Sequence, residues 1–384
     1  MVSTMLLIII YVSFISLGLP DSLLGSAWPS MLTQIEVPVW GAGLIQMTTS
    51  LCTIISSLNS AKLIRRFGTG KLTALSTGLT ALALLGLSFA PNYVTLLLLS
   101  IPLGLGAGAV DAGINNYVAQ HCEPRHMNWL HCFWGVGASV GPIILSGALH
   151  NGGTWRSGYL IIGCIQMALV AALLFSQPTW KKVQTRDVEE MAAKTGGKKR
   201  RPKGVVLGLL SFFFYCGAEA SVFLWAASFL VGLRGASAEQ AAGWASLYLI
   251  GMTVGRLVSG LVADRIGGKN MIRLGQAICV AGIAMMFVPN VYVSVVALFV
   301  LGVGCAPIYP MTIHETPRRF GEENSANLVG LQMACAYTGS TLVPPVLGVV
   351  CGWMGMIALP VLQVVFLAGQ VYCSETLNRR IANK

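Results

Sequence analysis

Apolar runs of about twenty residues follow one another along almost this whole chain, and that recurrence restricts it to few folds. A helix that crosses a bilayer needs roughly 20 consecutive, mainly apolar residues. Twelve such segments can be marked, near residues 4–33, 40–63, 72–90, 93–119, 127–149, 157–177, 204–232, 240–263, 271–289, 291–313, 326–349 and 353–374. The firmest joints are Pro91-Asn92 and Pro289-Asn290, pairs that stop one helix and start the next. Only 10% of residues are charged, against about a quarter in an ordinary soluble domain, which excludes that class. The expected fold is an all-α polytopic membrane protein of twelve transmembrane helices.

One long polar interval, residues 179–203, breaks the pattern with nine Lys/Arg against three acidic residues. It separates a first half, 1–178, from a second, 204–384, and reads as a solvated basic linker. No basic stretch precedes the first apolar run, so residues 1–30 do not read as a cleaved signal peptide. With six helices per half the loops alternate sides. Arg156 and Arg234 then fall on one side, and the other 23 of 25 Lys/Arg lie at or near the opposite one. The positive-inside rule puts both termini and the linker in the cytoplasm, with the cell's inner (plasma) membrane as the expected location. The net charge of +11 finds its partner in anionic lipid headgroups, without a nucleic acid. Ten cysteines without a paired framework are expected as buried, reduced thiols.

A shift of 199 residues superimposes the halves: Ala61-x-x-x-Arg65-Arg66-Phe67-Gly68 falls on Gly260-x-x-x-Asp264-Arg265-Ile266-Gly267, and Gly18 on Gly217. After a one-residue slip, Gly104 and Gly106 align with Gly302 and Gly304. Repeats of six helices mark transporters, whose substrate sites lie between the repeats near mid-membrane. The chain resembles the major facilitator superfamily over essentially its whole length. That resemblance implies two pseudo-symmetric six-helix bundles facing one cavity. It also implies a gating motif at Gly260, Asp264, Arg265 and Gly267. There a small residue at 260 would admit a neighbouring helix, and Asp264 would latch to a helix N-terminus. The alternative is a basic turn that only fixes topology.

Three acidic residues lie well inside apolar segments: Asp21, Asp111 and Glu219. An acid at a helix centre costs about 2.5–3.5 kcal/mol on insertion scales. No Lys or Arg is placed at mid-depth to pair with them, Arg256 being the deepest. Such a carboxyl must be protonated, hold a cation, or face water and a ligand. Pro20 precedes Asp21 and breaks the first helix there. Asp111 and Asn115 share a helix face, and Tyr215 and Phe223 lie one turn either side of Glu219. Acids and amides beside aromatic walls suit a small polar solute such as a sugar.

Gly43-Leu44-Ile45-Gln46, Asp21, Asp111-x-x-x-Asn115, Asn128-x-x-His131, Gly217-Ala218-Glu219 and Tyr309-Pro310 are similar to the fucose–proton symporter family. Its members take up hexoses with protons, or with sodium in some branches. In it the acids of helices 1 and 4, here Asp21 and Asp111, serve substrate binding and proton coupling. Some members carry an amide on helix 7 where this chain has Glu219, and one on helix 5 where it has Trp134.

The function these readings imply is proton-coupled uptake of a monosaccharide, with Asp21, Asp111 and Glu219 carrying the proton. Substrate hydroxyls would meet Gln46, Asn115 and Asn128, with Trp134, Tyr215 and Tyr309 as walls. His131 would serve as a relay or simply pack. No cofactor beyond the coupling ion is implied, a monomer is expected, and no constellation for an enzyme is present. Gly137-x-x-x-Gly141-Pro142 resembles the motif of proton-coupled drug exporters, which keeps export open beside helix packing. A non-transporting sensor and sodium coupling also remain. The run Leu103 to Gly108 mimics a nucleotide loop but sits in an apolar helix, where close packing is the reading. His121, Cys122 and His126 lack fixed metal-ligand spacing.

Overall fold

The computed structural model describes residues 4–122, 124–180, 204–320 and 322–382, so positions 181–203 of the expected linker lie outside the described residues. The described chain is almost entirely helical. The first half holds α1 (Thr4–Asp21), α2 (Leu23–Ile35), α3 (Gly41–Phe67), α4 (Thr69–Ser88), α5 (Tyr93–His121), α6 (Pro124–His150) and α7 (Trp155–Phe175). The second holds α8 (Val205–Arg234), α9 (Ala238–Ile266), α10 (Gly268–Met286), α11 (Val291–Cys305), α12 (Ile308–His314), α13 (Thr316–Phe320), α14 (Glu322–Met354) and α15 (Ala358–Ala382).

Among the described residues, eleven stretches are long and apolar enough to cross a membrane. Two of them are broken helices. Thr4–Ile35 joins α1 to α2, and Val291–His314 joins α11 to α12. The twelfth expected span is α10, a helix of 19 residues. Lys269, Asn270, Arg273 and Gln276 in its first half lower its hydropathy. The twelve-helix, multi-pass membrane architecture expected from the sequence is the architecture found.

The ends of the helices follow local chemistry. At both proline–asparagine joints the asparagine caps the next helix. Asn92 Oδ1 accepts from the Thr95 amide at 3.0 Å, and Asn290 Oδ1 from the Tyr292 amide at 2.9 Å. Gly68 and Gly267 occupy equivalent turns, both with φ of +78°, a region that side chains strain to enter.

The two arginines that break the sided charge pattern have structural work at these same joints. Arg156 Nη2 donates to the Ala90 carbonyl at 2.9 Å, just past the end of α4, while its guanidinium lies over the Trp155 ring at 4.3 Å. Arg234 Nη2 donates to the Met286 carbonyl at 2.5 Å and its Nε to Ser294 Oγ at 2.7 Å. Each satisfies carbonyls left over where a helix stops and adds a positive charge at the negative end of its dipole.

By contacts the chain divides into two units, Met1–Glu189 with Ser237–Ser246, and Glu190–Ala236 with Leu247–Lys384. Inside the first, α1 packs on α6, α5 on α3 and α4, and α4 on α7. The approach is backbone to backbone. A Cβ added to Gly137 would sit 1.9 Å from the Ile15 carbonyl oxygen, and one on Gly18 2.2 Å from that of Trp134. Cβ atoms on Gly104 and Gly108 would meet the Thr49 and Thr53 carbonyls, each at 2.2 Å. The glycine run on α5 is thus a contact with α3 and not a nucleotide loop.

The second unit repeats the device. A Cβ on Gly339 of α14 would lie 2.6 Å from the Phe213 carbonyl of α8, and one on Gly302 of α11 2.0 Å from the Tyr248 carbonyl of α9. In lipid no hydrophobic force favours helix association, so small residues that admit close contact carry much of the assembly. Gly260 differs from the expectation. Nothing lies within 4 Å of a Cβ built there, so it admits no neighbouring helix in this arrangement.

Replacing Gly137 with Val is therefore expected to abolish monodisperse protein after detergent extraction, measured by size-exclusion chromatography. Gly260→Ala, in open space, is expected to leave both yield and unfolding midpoint unchanged.

Candidate functional site

In the first unit Asp21 and Trp134 meet at the break in helix one. Pro20 supplies no N–H, α1 ends at Asp21, and α2 begins at Leu23. The carboxyl of Asp21 is placed by the glycine contact between α1 and α6, which also fixes Trp134. Trp134 Nε1 donates to Asp21 Oδ2 at 2.8 Å. Ser22 Oγ donates to the Ala138 carbonyl at 2.6 Å and pins the same crossing. The residue expected as an aromatic wall is therefore a hydrogen-bond donor to the acid.

On α5, Asn115 Nδ2 donates to Asp111 Oδ1 at 2.8 Å and to the Asp111 carbonyl at 3.0 Å. The four-residue spacing read from the sequence produces this pair directly. Among the described residues no Lys or Arg forms an ion pair with Asp21 or Asp111. Gln46 on α3 reaches Ser50 Oγ at 3.4 Å, and the His131 ring stands edge-on to Phe14 at 5.9 Å. The Asn128 side chain lies outside the described residues.

The second unit has its own polar centre, with a different electrostatic design. Glu219 Oε1 lies 3.8 Å from Arg256 Nη2, their side chains 22% and 27% exposed. The expectation that all three acids lack a counter-ion is thus corrected for Glu219. Arg256 starts deeper in α9 than any other basic residue of that helix, and its long side chain brings the charge to the acid. Tyr215 Oη lies 3.2 Å from Glu219 Oε1 and donates to the Cys305 carbonyl at 2.8 Å. That carbonyl belongs to the last residue of α11, where the broken helix leaves its oxygens without a following turn.

Tyr309 packs against Phe212 at 5.4 Å and Tyr215 at 6.3 Å between ring centres, and its hydroxyl meets Met333 Sδ at 2.9 Å. Tyr215 and Tyr309 thus form one aromatic group beside Glu219. Of the gating motif, Arg265 is exposed and Gly267 makes the turn, while the Asp264 side chain lies outside the described residues.

Two residues of these sites escaped the sequence reading in their actual roles. Arg256 carried a signal, a lone cation two residues past Val254 in an apolar run, but which helix it would reach was not encoded locally. Trp134 as a donor depended on the crossing of α1 and α6.

Arg256→Gln is expected to lower the thermal unfolding midpoint in detergent by leaving Glu219 unpaired. The cost should be about 1–3 kcal/mol, less than for a fully buried pair. The double variant Glu219→Gln/Arg256→Gln should recover most of the loss in the same melting assay.

Comparison with known proteins agrees with this architecture. The model of the Major Facilitator Superfamily matches residues 10–244 and 207–372. "Bypass of stop codon protein 6" of Saccharomyces cerevisiae is 23% identical over 93% of this chain and 79% of its own length. The glucose/mannose transporter GlcP of Bacillus subtilis is 22% identical over 79% of this chain and 77% of its own. Among solved structures, the nucleoside transporter NupG superposes with a TM-score of 0.75 at 13% identity, covering 98% of this chain and 99% of that one. With twelve helices in repeated halves and a family match across both, this chain is a membrane transporter, not an enzyme, and belongs to the Major Facilitator Superfamily.

Proposed function

We propose that this protein takes up a monosaccharide by proton symport, working by alternating access in the plasma membrane with both termini in the cytoplasm. The observation that carries the reading is the pair of acids in the first unit. Asp21 and Asp111 are held by neutral donors, an indole N–H and an amide, and neither has a basic partner among the described residues. A carboxylate so placed is stabilised enough to exist and not so much that it resists protonation. Protonation removes the charge and with it the cost of closing the site around the solute. Deprotonation on the other side restores that cost and favours release.

Glu219 takes part in a second way. Paired with Arg256, it becomes available to a proton or a sugar hydroxyl only as that pair loosens. Asn115, Gln46, Asn128 and His131 supply polar contacts, and Trp134, Tyr215 and Tyr309 supply aromatic faces. Asp264, with Gly260, Arg265 and Gly267, remains our candidate for a gate at the end of α9. The bundles 1–178 and 204–384, joined by the basic linker 179–203, would alternate between outward and inward access.

Asn115 donates its amide N–H to Asp111, a contact that stabilises the carboxylate, and the imposed gradients below separate proton from sodium coupling. Gly137 and Gly141 rest on the α1 backbone, the packing reading of that motif, and export stays the alternative that the direction of transport would decide. The glucose/mannose relative is consistent with a hexose.

Uptake into proteoliposomes across a panel of sugars, under imposed proton or sodium gradients, tests this. A proton gradient alone should concentrate a hexose. Asp21→Asn and Asp111→Asn should each lose accumulation while retaining sugar exchange. Normal accumulation in both variants would refute the coupling assignment.

A further inference from the structure

We propose that Cys279 and Cys305 form a redox modification site, a dithiol that closes reversibly to a disulfide and locks α10 to α11 beneath Tyr215. The two sulfurs lie 3.8 Å apart, and both residues are buried. No third side chain separates them, because the helices touch through their backbones. A Cβ on Gly304 would lie 2.7 Å from both the amide nitrogen and the sulfur of Cys279, and one on Gly275 2.6 Å from the Gly304 carbonyl. A disulfide needs its sulfurs at about 2.05 Å. Closing the remaining roughly 1.8 Å requires both side chains to rotate toward one another.

The pair also has a place for an oxidant. Cys279 and Cys305 line a narrow cleft of about 20 Å³, room for one small molecule, with Phe214, Tyr215, Gln363 and Gln370 on its walls. The Gln370 Nε2 group is buried without a hydrogen-bond partner, a donor for a small oxygen-containing molecule. The co-reactant is hydrogen peroxide. One thiol sulfur attacks a peroxide oxygen while its proton passes to the departing oxygen; the O–O bond breaks, water leaves, and the sulfur becomes a sulfenic acid. The second thiol attacks that sulfur; the S–S bond forms, the S–O bond breaks, and water leaves. Two electrons pass from the thiols to the peroxide, and a dithiol reductant reverses the change.

The position of the bond gives it a consequence. Cys305 ends α11, and its carbonyl holds the Tyr215 hydroxyl, which lies beside Glu219. Tying Cys305 to α10 fixes the break between α11 and α12 and the tyrosine resting on it. Transport that requires this break to move slows when the bond forms, a consequence that rests on the function proposed above.

The test uses the purified full chain, treated with hydrogen peroxide, blocked with N-ethylmaleimide and digested for mass spectrometry. A linked peptide pair containing Cys279 and Cys305, lighter by two hydrogens and separated by dithiothreitol, is expected. The unfolding midpoint should rise on oxidation and fall again on reduction, in wild type but not in Cys279→Ser or Cys279→Ala. Recovery of both cysteines as singly blocked or singly oxidised peptides overturns the site. In proteoliposomes that accumulate sugar, oxidation should slow uptake in wild type alone; a linked but equally fast protein overturns the lock. If no sugar is accumulated before oxidation, the proposed function fails, and the peptide and melting measurements still decide this one.

Discussion

Contact between helix backbones is the constraint from which the rest of this molecule follows. In a bilayer the lipid is as apolar as a leucine side chain, so helices gain little by merely covering one another. They associate where glycine lets one backbone rest on another. Here Gly137 meets the Ile15 carbonyl, Gly108 that of Thr53, and Gly302 that of Tyr248. These contacts do more than hold the bundles. The crossing of α1 and α6 brings the Trp134 indole to Asp21, and the approach of α10 to α11 sets Cys279 beside Cys305.

Both broken helices place polar chemistry at their breaks. Where α1 stops at Asp21 and α11 stops at Cys305, the chain leaves carbonyls unpaired in a medium with no water to satisfy them. At the second break the Tyr215 hydroxyl answers the Cys305 carbonyl; at the first, Ser22, between α1 and α2, donates its hydroxyl to the Ala138 carbonyl of α6 and ties the break to that helix. The two units have diverged in charge. The first keeps Asp21 and Asp111 with neutral donors only, while the second balances Glu219 with an arginine. A proton alters the first kind of site directly, and the second only by competing with a cation already present.

Much of the site was readable before any coordinates. The Asp111–Asn115 hydrogen bond follows from a spacing of four on a helix, and the end of α1 from Pro20. The Pro-Asn joints announced both a stop and a cap. Long-range partners were not readable. The partnership of Arg256 with Glu219 joins residues 37 positions apart on different helices, and nothing local specifies it. Gly260 misled in the same way, since its small size marks a close contact only if a neighbour arrives, and none does.

Hydropathy, helical period and the motif repeat announced the spans, even α10 whose polar first half falls short by hydropathy, together with the residues at which helices stop and the presence of acids in oil. Each of these depends on chemistry within a few residues. Which carboxyl would meet a cation, which tryptophan would donate to which acid, and which two of ten cysteines would touch were decided only when helices crossed. Those crossings are chosen by the shapes of surfaces brought together from distant parts of the chain, and shape at that range is a property of the folded bundle.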